Sequence, residues 1–188
     1  DRVAILSPAG AAFDSSLKCV ALNGAVVTDR VVIDAISYGL NIAGVDITSK
    51  NYDKINTIDG VSGTVKYDPT TKTLTLENAT IDAGNWENAI HNKIPNLTIQ
   101  VMGTNNISST DVAISLVEPT IIKGDGTLYA TGADNCGIYL NNSALSIENC
   151  TVNATGRWGI AGQYGYTNET LTIRNATVTA QGRSGSIC

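Results

Sequence analysis

An eight-residue motif, Leu74-Thr-Leu-Glu-Asn-Ala-Thr-Ile81, recurs in related form along this chain. It returns as Leu145-Ser-Ile-Glu-Asn-Cys-Thr-Val152 and as Leu171-Thr-Ile-Arg-Asn-Ala-Thr-Val178. Degenerate copies begin at Leu97 and Thr120, so the copies start at residues 74, 97, 120, 145 and 171, between 23 and 26 residues apart. A period of this length is typical of a solenoid, in which a repeat buries its apolar side by stacking on its neighbours.

Each repeat contains the pattern of three short strands. Strand one has alternating apolar residues at Leu74/Leu76, Leu97/Ile99, Thr120/Ile122, Leu145/Ile147 and Leu171/Ile173. Strand two is centred on Ile81, Ile107, Leu128, Val152 and Val178, and strand three on Ile90, Ile114, Ile138 and Ile160. Because successive side chains of a strand point to opposite faces, one face of each strand stacks into a continuous apolar column. The sequence therefore predicts an all-β fold, a right-handed parallel β-helix of about five coils.

Outward positions and bends follow the same period. Asn tolerates the left-handed backbone of a tight bend, and Asn recurs between strands one and two at Asn78, Asn149 and Asn175. The outward column of strand one alternates in charge, which favours stacking of the coils: Glu77, Gln100, Lys123, Glu148 and Arg174. The corresponding column of strand three is His91, Ser115, Tyr139 and Ala161. We expect His91 to be an exposed strand residue.

The first sixty residues do not follow the period. The end of a β-helix exposes unpaired backbone, so solenoids need atypical terminal caps. We therefore expect residues 1–60 to form a small N-terminal β cap and residues 61–188 to form the β-helix repeats. The chain stops within a coil at Cys188. At that end we expect either a continuation of the chain or pairing with another chain in an oligomer.

Composition narrows the classes of partner and location. The net charge is −5 and the twelve Lys and Arg residues are scattered, which argues against nucleic acid. No apolar run approaches the length of a membrane span. The low content of charged residues, with abundant Gly, Asn and Thr, favours a secreted or cell-surface location. The four cysteines have no zinc-type spacing; Cys136 and Cys150 are expected to be small buried residues, and their disulfide state stays open.

Three segments carry a resemblance to known proteins. They are Tyr38-Gly-Leu-Asn-Ile-Ala-Gly-Val-Asp-Ile-Thr48, the segment from Gly63 to Ile81, and Ile122-Lys-Gly-Asp-Gly-Thr-Leu128. They resemble secreted repeat proteins of gut Bacteroides-type bacteria, in the pectate-lyase-like β-helix group with its non-catalytic carbohydrate-binding members. The resemblance covers roughly residues 36–188. It implies the β-helix fold and a polysaccharide or surface glycan as partner, and it brings no catalytic residues.

An aromatic cluster is the candidate ligand-binding site. Coil four has an extended connection, Ala161-Gly-Gln-Tyr-Gly-Tyr-Thr-Asn-Glu169, and insertions in solenoids protrude as loops that often bind. Tyr164 and Tyr166 lie in it, and Trp158 and Tyr139 lie near it by the period. Aromatic rings with nearby polar groups suit sugar rings. Trp86 occupies the corresponding turn in coil one. The alternative interpretation is that these aromatics cover the sides of a narrow helix.

Three acidic residues form the candidate metal site. Glu87, Asp111 and Asp134 each precede a strand-three Ile by three or four residues, so they should stack along one edge. Coils lie about 4.8 Å apart, which would let neighbouring carboxylates share Ca²⁺, with Asn85, Thr110 and Asn135 as further oxygen donors. The alternative is that these carboxylates are solvated.

Other functions have less support. Asp111 and Asp134 could meet the separation that a glycoside hydrolase needs, but any two acids on adjacent coils would, and no matching basic cluster for a lyase appears. We therefore expect no catalytic residues. A structural or adhesive segment of a larger surface protein is the main alternative. The irregular outward face of strand two disfavours ice binding.

Overall fold

The chain divides into two compact units. The computed structural model describes residues 3–84 and 87–188. The first unit comprises the residues up to Ser37 together with Thr48–Lys50, and the second comprises Tyr38–Ile47 and Asn51–Cys188. The described residues contain strands, one short 3-10 helix (Ile55–Thr57) and no α-helix. None of their helices is long and apolar enough to cross a membrane.

The first unit is built from short antiparallel strands. Strands β1 (Ala4–Ser7) and β5 (Val32–Asp34) pair with each other, and β2 (Ala12–Asp14), β3 (Cys19–Leu22) and β4 (Ala25–Val26) form a three-stranded sheet. Asn23 and Gly24 join β3 to β4, with φ of 50° and 79°. Two successive positive φ values are what a two-residue hairpin turn requires, and Asn-Gly is the dipeptide that best adopts them.

The second unit is a parallel β-helix of about five coils, as predicted. Its strand-one column is β9 (Thr73–Asp82), β11 (Leu97–Met102), β14 (Thr120–Gly124), β16 (Ala144–Glu148) and β18 (Thr170–Arg174). The end of β9 leads the strand-two column, followed by β12 (Thr104–Ser109), β15 (Thr127–Leu140), β17 (Thr151–Gly162) and β19 (Thr177–Ile187). Strand three is β10 (Ile90–Asn92), β13 (Ile114–Leu116) and the second halves of β15, β17 and β19.

The interior of the coils is one dry apolar cluster. The strand-three isoleucines stack in register, and Ile90, Ile114 and Ile138 are completely buried. The inward residues of strand one, such as Leu74 and Ile122, are also completely buried. At roughly 1.5–3 kcal/mol for each large aliphatic side chain buried, these columns are the main source of stability. The alternating pattern of the repeats therefore encodes the core directly.

Antiparallel strands cover the beginning of the β-helix. Residues Leu40–Ile42 of β6 (Ser37–Ile42) pair with β10, and β8 (Val61–Asp68) pairs with β9. Strand β7 (Val45–Thr48) lies next to β6. Leu40, Ile42 and Ile47 are completely buried in the core of the β-helix. These antiparallel strands lie on both sides of the boundary predicted at residue 60, and they satisfy backbone groups that a parallel first coil would leave unpaired.

The predicted alignment of the coils is wrong at two places. Leu74 pairs with Ile99 and Leu76 with Val101, so β9 is shifted by two residues against β11, and Glu77 lies opposite Met102. In strand two, Ile107 pairs with Ala130 rather than Leu128. Both shifts keep the inward face inward, because side chains alternate with a period of two. A consequence is that Thr104 joins the outward column of Thr127, Thr151 and Thr177.

Asparagine serves two structural purposes. Asn78, Asn149 and Asn175 all have positive φ, between 48° and 58°, so their role at the bends is confirmed. The Asn78 Oδ1 accepts a hydrogen bond from the Thr104 N–H of the next coil. Asn105 is completely buried within the coil, where its Oδ1 accepts from the Ala79 N–H at 2.9 Å. A buried amide persists in an apolar interior because it is bonded in this way.

The outward charges and the cysteines follow the prediction in part. Gln100, Lys123, Glu148 and Arg174 form one column, and the Arg174 guanidinium lies 3.7 Å from the Glu148 carboxylate. Exposed pairs of this kind contribute a few tenths of a kcal/mol. Cys136 and Cys150 are buried, as predicted, and both are free thiols, as are Cys19 and Cys188.

Candidate functional site

The four aromatic residues singled out from the sequence border one cavity. It has a volume of about 700 Å³ and lies in the β-helix beside the extended connection of coil four. Its walls include Tyr139, Trp158, Tyr164 and Tyr166. This volume is within the range of small-molecule binding sites in proteins.

The outer face of strand three forms one wall. Tyr139 on β15 and Trp158 on β17 pack against a small apolar cluster of Val112, Cys136 and Ala161, which is separate from the interior of the coils. Ala161 pairs with Tyr139 across the ladder. The small side chain at residue 161 leaves space that a larger residue would fill. Tyr139 and Trp158 are partly buried, so each ring packs on the side of the β-helix and also borders the cavity.

The connection between β17 and β18 forms the other wall. Tyr164 is fully exposed and Tyr166 is 47% exposed. The Tyr166 N–H donates to the Gln163 carbonyl oxygen at 3.1 Å, which closes a turn around Tyr164 and Gly165. Gly165 has a φ of 87°, a conformation that favours glycine. Tyr164 therefore presents its whole ring to solvent, and Tyr166 about half of its surface.

Glu169 fixes this connection in place, a role that the sequence pattern did not indicate. Its Oε1 accepts hydrogen bonds from the Gln163 N–H at 3.1 Å and from the Asn142 N–H at 3.0 Å. The first bond joins the two ends of the connection, and the second ties it to the turn that follows β15. Hydrogen bonds to an ionised acceptor are among the stronger ones in proteins. The cavity wall thus depends on a single carboxylate.

Arg157 covers one face of the Trp158 ring. Its guanidinium carbon lies 4.5 Å from the ring centroid, and its Nε donates to the Ser184 Oγ at 3.4 Å. The contact is a cation–π interaction, which holds the indole in one orientation. The ring is therefore supported on one side while it borders the cavity.

Burial raises the pKa of two titratable groups in the cavity lining. Burial, together with the neighbouring Cys136, Glu169 and Tyr166, raises the pKa of the Tyr139 phenol. Burial, together with Asp111 and Cys188, raises the pKa of the Cys136 thiol to about 11. At neutral pH the Tyr139 hydroxyl therefore keeps its proton and can donate a hydrogen bond to a ligand.

Two of the three predicted calcium ligands interact with other side chains of the protein. The Asp111 carboxylate accepts from the Asn135 amide at 2.8 Å, and the exposed Asp134 carboxylate lies 3.9 Å from the Arg183 guanidinium. Glu87 is exposed. Within residues 3–84 and 87–188, no three His, Cys, Asp or Glu side chains are grouped to hold a metal ion. Asn85 and Trp86 lie outside the described residues. The calcium site stays a prediction.

His91 differs from its prediction. It lies in the expected column, opposite Ser115 and Asn41, but it is half-buried rather than exposed. Its Nδ1 is buried and has no hydrogen-bond partner among the described residues. Burial, together with the charge of Lys93, lowers the pKa of His91. The imidazole is therefore neutral at physiological pH.

Comparison with known proteins assigns this chain to no family. No protein-family model, curated protein or solved structure matches this chain. The geometry of the cavity is therefore the basis for a function: aromatic surface on two walls, hydroxyl groups on the tyrosines, and one fixed carboxylate.

Proposed function

We propose that this chain is a non-catalytic, secreted or cell-surface β-helix module that binds carbohydrate at the cavity bordered by Tyr139, Trp158, Tyr164 and Tyr166. The observation that carries the proposal is the convergence of these four aromatic residues on one cavity, from three places in the chain. The resemblance to carbohydrate-binding β-helix proteins supports the same conclusion.

Sugar binding requires what this cavity offers. The C–H faces of a pyranose ring are apolar and pack on aromatic rings, while its hydroxyls need hydrogen-bond partners. The exposed rings of Tyr164 and Tyr166 provide the surface on which a sugar ring packs. The Tyr139 hydroxyl and the backbone of the connection provide hydrogen-bond partners for the sugar hydroxyls. Tyr164 is fully exposed, so it makes little contribution to folding and is free to stack on a ligand. The proposal needs no catalytic step.

A glycan array tests the proposal. Aromatic contacts are each worth roughly 0.5–1.5 kcal/mol beyond the area they bury, so a Tyr164→Ala/Tyr166→Ala double variant should bind its glycans about tenfold or more weakly. The matched control is Tyr129→Ala, which removes an exposed tyrosine on the outward face of strand two, outside the cavity lining. The control should keep the wild-type signals. Unchanged signals in the double variant, or no signal from the wild-type protein on a broad array, contradict the proposal.

A further inference from the structure

We infer that the cavity selects neutral sugars and discriminates against sugars that carry a carboxylate. This inference rests on the proposed function and specifies the class of ligand. It depends on the charges around the cavity and on the way in which the single carboxylate is held.

Glu169 is the one lining residue with a formally charged side chain among the described residues of the cavity. The rest of the lining consists of aromatic, aliphatic, glycine and uncharged polar residues. The Cys136 thiol, with its pKa raised to about 11, adds no negative charge at neutral pH, and the raised pKa of Tyr139 keeps that phenol neutral. A ligand in this cavity therefore meets the Glu169 carboxylate as the one charged side chain among the described lining residues.

The Glu169 carboxylate is not free to turn away from a ligand. Its Oε1 is held by the N–H groups of Gln163 and Asn142, which come from two different segments of the chain. Both donors are backbone groups with fixed positions. Relief of a repulsive contact by rotation of the side chain would break both bonds.

A ligand carboxylate finds no matching cation in the lining. An anion that leaves water for a partly apolar cavity loses hydration and needs a positive partner in return. Two arginines outside the lining already have partners: Arg157 lies over the face of Trp158, and Arg183 donates to the Ala133 carbonyl and lies 3.9 Å from the Asp134 carboxylate. A like charge placed next to Glu169 is therefore uncompensated, and it weakens binding.

Matched pairs of glycans that differ only in whether a carboxyl group is ionised or neutralised test the inference. Suitable pairs are homogalacturonan and its methyl ester, hyaluronan and its carboxyl-reduced form, and sialylated N-glycans and their sialic acid methyl esters, titrated at low ionic strength. For every pair that binds, the neutral member should bind at least about tenfold more tightly. Equal affinities, or tighter binding of the acid, overturn the inference while leaving the proposed function standing. No signal from the wild-type protein on the broad array overturns both.

Two variants show whether Glu169 is the source of the preference. Glu169→Gln keeps an oxygen that accepts the two N–H bonds and removes the charge. The ratio of the affinity for the neutral glycan to the affinity for its acidic counterpart should therefore fall towards one. Glu77→Gln removes an exposed carboxylate from strand one, away from the cavity, and should keep the wild-type ratio. An unchanged ratio in Glu169→Gln overturns the assignment. A preference for acids that disappears in Arg157→Gln would show that the cavity recognises anions through Arg157 instead.

Discussion

Removing the Glu169 carboxylate should release one wall of the cavity. In a Glu169→Ala variant, the N–H groups of Gln163 and Asn142 lose their acceptor. A hydrogen bond to a charged group contributes about 1.5–3 kcal/mol when it is shielded from water. The Gln163 bond is partly buried and counts in that range, whereas the Asn142 bond is exposed and adds only a few tenths. We therefore expect the free energy that favours the closed form of the connection over its open form to fall by about 2 kcal/mol in total.

Hydrogen exchange measured by NMR reports this loss directly. A change of about 2 kcal/mol corresponds to roughly 30-fold faster exchange of the Gln163 amide, because local opening controls its protection, whereas the exposed Asn142 amide should exchange only slightly faster. Glu169→Gln is the control: it keeps an oxygen acceptor, so exchange should accelerate only a few-fold. Amides of the strand-three core, such as that of Ile138, should be unaffected in both variants. Wild-type protection of both amides in Glu169→Ala would refute the account of Glu169 as the anchor of this wall.

Other parts of the structure give further predictions. Ile114→Ala should lower the free energy of unfolding by about 2–5 kcal/mol in urea titrations, because Ile114 is completely buried in the strand-three column; a loss below 1 kcal/mol would contradict that packing. Gly103→Ala should cost at least about 1 kcal/mol, since Gly103 has a φ of 63° and an added methyl group would collide with the Asn78 side chain; an unchanged urea midpoint would argue against this bend. The pKa of His91 is lowered in the folded state, so its contribution to stability is complete above the unfolded pKa of about 6.5 and is lost as the pH falls through the lowered folded value. The free energy of unfolding of the wild type, relative to that of His91→Gln, should therefore fall between pH 7.5 and 5.5. A difference independent of pH would be inconsistent with a buried imidazole. The calcium hypothesis predicts that Tm rises with Ca²⁺ and falls with EDTA, and an unchanged Tm in both would eliminate it.

The sequence predicts the architecture well because the period and the core are the same feature. The inward residues Ile90, Ile114 and Ile138 recur at the period of the coils, and stacking them is the physical reason for the fold. The two register shifts were not predictable from this pattern. The residues Leu97, Ile99 and Val101 offer three alternating apolar positions, so two alignments with Leu74 and Leu76 bury the same number of side chains.

The second shift has a different cause. Asn105 points into the coil, opposite Leu128, and a polar residue at an inward position conceals the alternation that would have revealed the register. Its burial depends on hydrogen bonds to backbone groups from neighbouring turns, which a sequence pattern does not contain. His91 illustrates the same limit, because the burial of an outward residue is set by what packs around it.

The sequence identified the aromatic residues of the candidate site, but not the hydrogen bonds that hold the connection in place. The excess length of coil four identified the connection that carries Tyr164 and Tyr166, and the period placed Tyr139 and Trp158 near it. Glu169 carries no signal of its own, since an acidic residue at the end of a loop is ordinarily solvated. Its role comes from two backbone N–H groups, one of them 27 residues away along the chain.

Fluorescence of Trp158 tests the central claim most directly. The chain has two tryptophans, so a Trp86→Phe variant leaves Trp158, in the wall of the cavity, as the single indole. We predict that titration with the neutral glycan that binds most strongly on the array changes the intensity or wavelength of this emission, with the same Kd as calorimetry gives. A glycan that binds by calorimetry and leaves the emission of Trp158 unaltered would show that the aromatic cavity is not the binding site.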